Sequence, residues 1–231
     1  MNALEGNRGE ATRYDALSRQ TALSINGCFF KKGEVYPCDV IDGNKAVEQN
    51  VRPEALLLIA LSETGDLLAE DKKKLIVDTV EKRLLTPYGL RSLAPENESY
   101  YGGNKLVSAE KGQNNSDYQG SVWPYYLSYY FHAKMNIAIG KDSNMFRSVK
   151  DDLKRRINNL LFVAKEGPVP EVFSGNAPYY PGGRPGVSLY SVSALVECMS
   201  ILQDDVLSRR GKTTRGDNMT VGAIVSMLTS R

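Results

Sequence analysis

A proline- and glycine-rich segment, residues 167–191, holds the carboxylate that is best placed to do chemistry. The segment contains five prolines and five glycines, and a proline inside a helix removes a hydrogen-bond donor and clashes with the preceding turn. We therefore expect a long loop, and ordered loops of this length usually carry function. Glu171 lies within it, ahead of Tyr179 and Tyr180. A carboxylate among prolines and aromatic rings is typical of a glycosidase site.

Two other segments, residues 39–54 and 117–124, offer complementary side chains. They contain carboxylates, an arginine, an amide and aromatic rings, which suit a neutral polyhydroxylated ligand. The chain also has 13 tyrosines, many in adjacent pairs. A phenol can pack its ring against a pyranose face while its hydroxyl bonds a polar partner. Packing within the protein core is the alternative role for these rings.

Other chemistries lack the residues they need. The single histidine, His132, lies within an aromatic helical pattern, so a serine–histidine or cysteine–histidine nucleophile pair is not expected. No glycine-rich phosphate-binding motif is present. Three scattered cysteines, Cys28, Cys38 and Cys198, indicate neither a disulfide framework nor a zinc site, and they favour a reducing compartment. We expect no cofactor and no metal.

Charge and hydropathy restrict the partners and the location. A net charge of +2 gives no reason to expect nucleic acid or an anionic membrane surface. The longest apolar runs, such as residues 55–61, are far shorter than the ~20 residues of a membrane-spanning helix. The first ten residues lack the apolar core of a secretory signal. Together these features predict a cytoplasmic protein.

Hydrophobic periodicity predicts mostly helices. Residues 28–51 favour a short strand pair, residues 86–120 favour functional loops, and Lys72–Lys74 are expected to face solvent. Apolar helices alternate with two-faced helices and long loops, which is typical of a double-layered, all-α array in one domain, residues 1–231, with the site in the loops at one end. The predicted helices cover residues 10–27, 53–62, 69–85, 121–139, 143–163 and 187–202, and a last helix is capped by Asp217 or Asn218.

Five motifs in order carry a resemblance to a known family. The motifs are residues 39–43, 51–54, 84–95, 118–124 and 171–178. Over roughly residues 10–205 the chain resembles the C-terminal catalytic domain of glycogen debranching enzymes, the amylo-α-1,6-glucosidase family. The resemblance implies part of an (α/α)6 barrel, a six-hairpin glycosidase-like toroid with long loops at one mouth. It also implies an inverting glucosidase that releases glucose from α-1,6 branch points of glycogen or related α-glucans.

The resemblance also implies roles for individual residues. Glu171 takes the position of the general base that activates water. The family's general acid lies well upstream, so we expect it to be missing from this chain. The expected ligand is an α-glucan or maltooligosaccharide. The residues expected to bind it are Arg52, Gln119, Trp123, Asn176 and Tyr190.

Three positions depart from the family pattern. Tyr118 stands where the family usually has histidine, Glu54 where it has asparagine, and Tyr190 where it has tryptophan. Losing a good polar contact typically costs ~1–3 kcal/mol, so these changes bear on substrate preference. A non-catalytic α-glucan-binding or scaffold protein of the same fold is the alternative function, and a trehalase-like α-glucosidase is a further one.

The predicted helices are too few for a complete barrel. Seven are predicted in the sequence, where the resemblance implies six inner and six outer helices. We therefore expect the C-terminal portion of such a domain. An incomplete barrel would leave apolar faces exposed, and large exposed apolar patches are uncommon on monomers. This predicts a partner chain or self-association.

Overall fold

A computed structural model describes residues 8–31, 33–34, 36–43, 45–61, 67–102, 118–138, 143–182 and 188–203. This part of the chain is mostly helical, and the helix predicted from Asp217 or Asn218 lies outside it. A 3-10 turn, Pro53–Leu56, runs directly into α2. The α-helices described are α1 (Arg8–Cys28), α2 (Leu57–Ala60), α3 (Glu70–Arg83), α4 (Tyr126–Ala138), α5 (Ser143–Glu166) and α6 (Leu189–Gln203).

A small four-stranded antiparallel sheet accompanies the helices, which still make up most of the described part of the chain, as expected for an all-α domain. Its strand order is β3-β4-β5-β6, so it joins three loops that are distant in sequence. The strands are only two residues long and show no alternation of apolar and polar residues, which is why the sequence did not reveal them. They are β3 (Leu90–Arg91), β4 (Val122–Trp123), β5 (Val172–Phe173) and β6 (Pro181–Gly182).

Strand β4 also shortens a predicted helix. Residues 121–139 were expected to be helical, but α4 begins only at Tyr126. The reason is Pro124, because the residue before a proline is driven toward extended geometry. Trp123 accordingly pairs with Leu90 in the sheet. The other predicted helices within the described ranges are confirmed to within a few residues, as is the strand pair, β1 (Val40–Asp42) with β2 (Lys45–Glu48).

Helices α2, α4 and α6 lie side by side and run in the same direction. Early residues of one helix contact early residues of the next, and late residues contact late residues. These contacts are Tyr126 with Glu54 and Asn136 with Ile59, then Tyr125 with Tyr190 and His132 with Glu197. Parallel neighbours place all three helix starts at one end of the molecule, which we call the mouth. The arrangement is compatible with a glycosidase-like helical domain.

Helices α3 and α5 form a second layer against the first. The two-faced pattern predicted for α5 is confirmed, because Val149, Leu153 and Ile157 are buried while Asp151 and Lys154 face solvent. Burial of apolar area, worth ~25 cal/mol per Å², is the main driving force for this packing. The fully buried centre of the core includes Leu56, Ile59, Ile76, Val80, Tyr130, Phe131 and Leu153.

The lysines of α3 correct one expectation. Lys73 is buried rather than exposed, and its Nζ lies 2.8 Å from Glu70 Oε1. Lys72 Nζ lies 4.1 Å from the centre of the Phe30 ring and donates to Asn26. Long aliphatic stems let lysine cover apolar surface while the charge keeps a polar partner.

Within the described part of the chain, the contacts of helix α1 with the core lie at its C-terminal end. Asn26 donates to the Leu67 carbonyl, and Ile25 packs against the core. Farther toward the N-terminus of α1, Tyr14 and Leu17 are 56% and 46% exposed. The apolar stripe predicted for this helix is therefore largely uncovered. None of the helices in the described ranges is long and apolar enough to cross a membrane.

Candidate functional site

The mouth gathers the loops in which the sequence placed its candidate residues. The 3-10 turn opens with Pro53, whose missing N–H costs nothing at a helix start. Helix α4 begins at Tyr126, two residues after Pro124, whose carbonyl accepts from the Leu127 amide. Between these helix starts lie the β-sheet and the loops around residues 90–102, 118–121 and 169–182.

Arg52 joins the segment before β1, at Asp39, to the loops at Ser92 and Tyr118. Its Nε lies 2.9 Å from Asp39 Oδ2, and the two side chains are only 20% and 16% exposed. Its Nη1 donates to the carbonyls of Ser92 and Tyr118 at 2.9 and 2.7 Å. Hydrogen bonds from a charged donor are worth about 1.5–3 kcal/mol each. Arg52, predicted to bind substrate, therefore also anchors the mouth.

The Asp39 carboxylate is held by several hydrogen bonds, beyond any role in the turn that follows β1. Its carboxylate accepts hydrogen bonds from the backbone and side-chain nitrogens of Asn50, both at 3.2 Å, as well as from Arg52. Asn97 in turn donates to Asn50 Oδ1 at 2.6 Å. The carboxylate, just before β1, is thus fixed by Asn50 and Arg52, which both follow β2.

Gln119 lies in a tightly held turn next to this anchor. Its backbone carbonyl accepts from the amides of Tyr101 and Gly102. The Gly120 amide donates to Ser92 Oγ at 2.9 Å. Gln119 Oε1 is buried and has no hydrogen-bond partner in the described part of the chain. A buried acceptor without a donor costs about 1–3 kcal/mol. A hydrogen-bond donor that reaches Gln119 Oε1 would remove this cost.

Aromatic rings cover the α4 and α6 side of the mouth. The rings of Tyr118 and Trp123 are stacked, with centroids 6.2 Å apart. Tyr125 contacts Tyr190 edge-on at 6.0 Å, and its hydroxyl lies 2.6 Å from that of Tyr129. Tyr118 and Tyr190 remain 65% and 63% exposed. Exposed, stacked rings of this kind can bind the apolar face of a sugar.

The phenols of Tyr125 and Tyr126 are held in their neutral form. Burial, followed by the hydrogen bond to Tyr129, raises the pKa of Tyr125 to about 12. Burial and the nearby Glu54 carboxylate raise the pKa of Tyr126, whose hydroxyl donates to Glu54. Glu54 is therefore tied into the aromatic cluster. The three family departures, Tyr118, Glu54 and Tyr190, all lie at the mouth.

Glu171 lies at the start of β5, beside the first turn of α6. The Ser188 amide donates to the Val169 carbonyl at 3.2 Å, and Ser191 Oγ donates to the Pro170 carbonyl at 2.8 Å. These bonds fix the backbone just before Glu171. The side chain is partly buried, and within the described ranges no group donates a hydrogen bond to its carboxylate. Among the described residues, the carboxylate therefore has no competitor for water or a ligand.

The loop after Glu171 is held by residues that the sequence analysis missed. Arg91 Nε donates to the Gly175 carbonyl at 2.8 Å, and Tyr100 Oη donates to Asn176 Oδ1 at 3.0 Å. Burial raises the pKa of Tyr100, while Arg91 opposes the rise. Tyr179 has φ 60, a left-handed conformation that costs energy outside glycine and occurs often at functional sites. No periodic pattern marks Arg91 or Tyr100, because their partners are more than 70 residues away.

The five predicted binding residues therefore occupy different parts of the mouth. Arg52 and Gln119 lie on the α2 side, whereas Trp123 and Tyr190 lie on the α4 and α6 side, near the backbone of Glu171. Asn176 is exposed, and its side-chain Oδ1 accepts a hydrogen bond from the Tyr100 hydroxyl. Within the described ranges, no group of three or more histidine, cysteine or acidic side chains could hold a metal ion.

Comparison with known proteins identifies the family of the chain. A family model described as amylo-alpha-1,6-glucosidase matches residues 2–197 of the 231-residue chain. A search among curated proteins gave no match. The family name indicates a glycosidase function of the glycogen-debranching type. The matched region includes every part of the mouth described above, and the chain belongs to the amylo-alpha-1,6-glucosidase family.

Proposed function

We propose that the mouth binds an α-glucan and hydrolyses an α-1,6-linked glucose by an inverting acid/base mechanism. The observation that carries this proposal is the position of Glu171 at the mouth. Glu171 directly precedes β5, which pairs with β4, the strand that contains Trp123. The preceding carbonyl, that of Pro170, accepts from Ser191 in the first turn of α6, and the same turn carries Tyr190. A carboxylate to which no described residue donates, beside exposed rings, suits a group that must orient water next to a sugar.

Glu171 is assigned the role of general base. In an inverting reaction the base takes a proton from water as the water attacks the anomeric carbon, while an acid protonates the leaving oxygen. The two carboxyl groups stand roughly 6.5–9.5 Å apart to admit that water. Tyr190, Trp123 and Tyr118 hold the sugar ring, and Arg52, Gln119 and Asn176 bond its hydroxyls.

The general acid is assigned to another segment or chain. Asp39, a carboxylate at the mouth, is already held by Arg52 and Asn50. Glu54 accepts from Tyr126 on the α2 side. We propose that a second chain, a partner or another copy, packs on the uncovered face of α1 around Tyr14 and Leu17. Sedimentation velocity of the purified protein should show association, and a single monomeric species up to high concentration would count against it.

The test of catalysis is glucose release from a branched limit dextrin. The wild-type chain, with its partner where one is found, should release glucose, and Glu171→Gln should abolish release. Glu166→Gln, an exposed carboxylate at the end of α5, is the matched control and should retain activity. Glucan binding without glucose release by any form would instead support the non-catalytic alternative.

A further inference from the structure

A cavity of about 190 Å³ opens beside the mouth, between the end of α1 and the 3-10 turn. Its walls include Phe29, Tyr36 and Leu58, and Arg52 and Glu54 lie at its polar side. Glu171 is not among the lining residues. The cavity is therefore a second concave feature, reached from the α2 side of the mouth.

We infer that this cavity binds one glucosyl ring of the α-glucan, at a subsite separate from the Glu171 loop. The inference rests on the proposed function, because it takes the ligand to be an α-glucan. The space is many times the ~10–15 Å³ of probe-occupied volume that a single water needs. It can therefore hold a small ligand such as one sugar ring.

The walls and the polar side match the two surfaces of a pyranose. Phe29 and Tyr36 supply aromatic faces against which the apolar face of a sugar can pack. Tyr36 is fixed for this purpose, because its hydroxyl donates to the Arg52 carbonyl at 2.5 Å. Glu54, whose Oε1 accepts from Tyr126, presents its other carboxylate oxygen as an acceptor for a sugar hydroxyl.

The polar side is organised before any ligand binds. Asp39 and Arg52 form an ion pair, and Asn50 is bonded to Asp39 and to Asn97. Binding to groups already held in place costs less conformational entropy than ordering them. Since Arg52 and Asp39 neutralise each other, Glu54 contributes the remaining charge. A neutral or cationic sugar is therefore favoured over a phosphorylated one.

Cys38 provides a direct probe, because it lines the cavity and is 4% exposed. In a Cys28→Ser background, labelling of Cys38 by a small thiol reagent is followed with and without isomaltose. Cys198, which is 2% exposed in the core, is the internal reference. Occupation of the cavity should slow labelling of Cys38 at least threefold and leave Cys198 unchanged. Equal slowing of both thiols would indicate global stabilisation and overturn the inference.

Two variants and one optical signal complete the test. Ala55→Phe, which fills the cavity, should remove the slowing of Cys38 labelling by isomaltose. Glu54→Gln, which removes the remaining negative charge, should permit binding of a phosphorylated sugar. The fluorescence of Trp123, the single tryptophan, reports glucan at the stacked rings. A Trp123 response without Cys38 protection overturns the cavity subsite and leaves the proposed function intact. Absence of both responses overturns both.

Discussion

The two sides of the mouth differ in how many of their polar groups are already bonded. On the α2 side, Arg52 contacts Asp39 and two backbone carbonyls, and Asn50 closes the network. On the α6 side, Glu171 has no donor within the described ranges, and Tyr190 is 63% exposed. Fully bonded groups fix a structure, whereas an exposed or unbonded polar group is available to a ligand. The α2 side thus holds the loops, and the α6 side is proposed to act on substrate.

The largest expected effect is a loss of activity without a loss of stability when Glu171 is replaced. Glu171→Gln should lower glucose release by about 10²–10⁴-fold, the usual contribution of a general base. The free energy of unfolding should change by no more than about 0.5 kcal/mol, because no described contact is lost. Urea unfolding and a glucose assay measure the two quantities. A large loss of stability would assign Glu171 a structural role.

Gly175→Ala should produce the largest loss of stability. A Cβ at this position would overlap the Gly120 carbonyl oxygen and lie 2.5 Å from the Tyr100 hydroxyl. Overpacking of this kind costs about 1–3 kcal/mol, and we expect the upper end because one clash is with backbone. Gly167→Ala is the control, since nothing lies within 4 Å of its added Cβ. Equal unfolding free energies of the two variants would refute the close approach of these loops.

Arg52→Ala should destabilise the protein by about 2 kcal/mol, because Asp39 would lose its charged partner and two carbonyls would lose their donor. Arg155→Ala provides the comparison. Arg155 is 69% exposed and pairs with Asp152 on the outer face of α5. Such surface pairs contribute about 0–1 kcal/mol. Similar losses of unfolding free energy for the two variants would contradict the role of Arg52 as an anchor of the mouth.

Tyr190→Ala should have the smallest effect and should act on binding alone. Loss of one aromatic contact is worth about 0.5–1.5 kcal/mol, so maltooligosaccharide affinity should fall by about two- to tenfold. Isothermal titration calorimetry measures this change. Tyr14→Ala, on the exposed face of α1, should leave the affinity unchanged. An unchanged affinity for Tyr190→Ala would place the glucan elsewhere.

The sequence predicted the elements whose pattern is local. Residues 143–163 show a helical period because every apolar contact of that helix lies on one face, and α5 follows it. Pro53 marked a helix start because its missing N–H costs nothing in the first turn. Both signals depend on neighbours within a few residues. Such signals predicted most of the helical framework.

Contacts between distant residues could not be predicted in this way. Val122 pairs with Phe173 across 51 positions, in strands too short to show a period. Arg91 bonds Gly175 across 84 positions. Lys73 was placed in solvent because charge usually marks a solvated face, but tertiary packing buries it. The motif placed Glu171 in a functional loop, but its lack of a donor among the described residues became visible only in three dimensions.

The most direct test of the central claim is the anomeric form of the first glucose released from an α-1,6-branched limit dextrin, followed by proton NMR. Inversion with Glu171 as base predicts that β-glucose appears first and then mutarotates, and that Glu171→Gln removes the signal. Initial formation of α-glucose, or undiminished β-glucose from Glu171→Gln, would contradict the account.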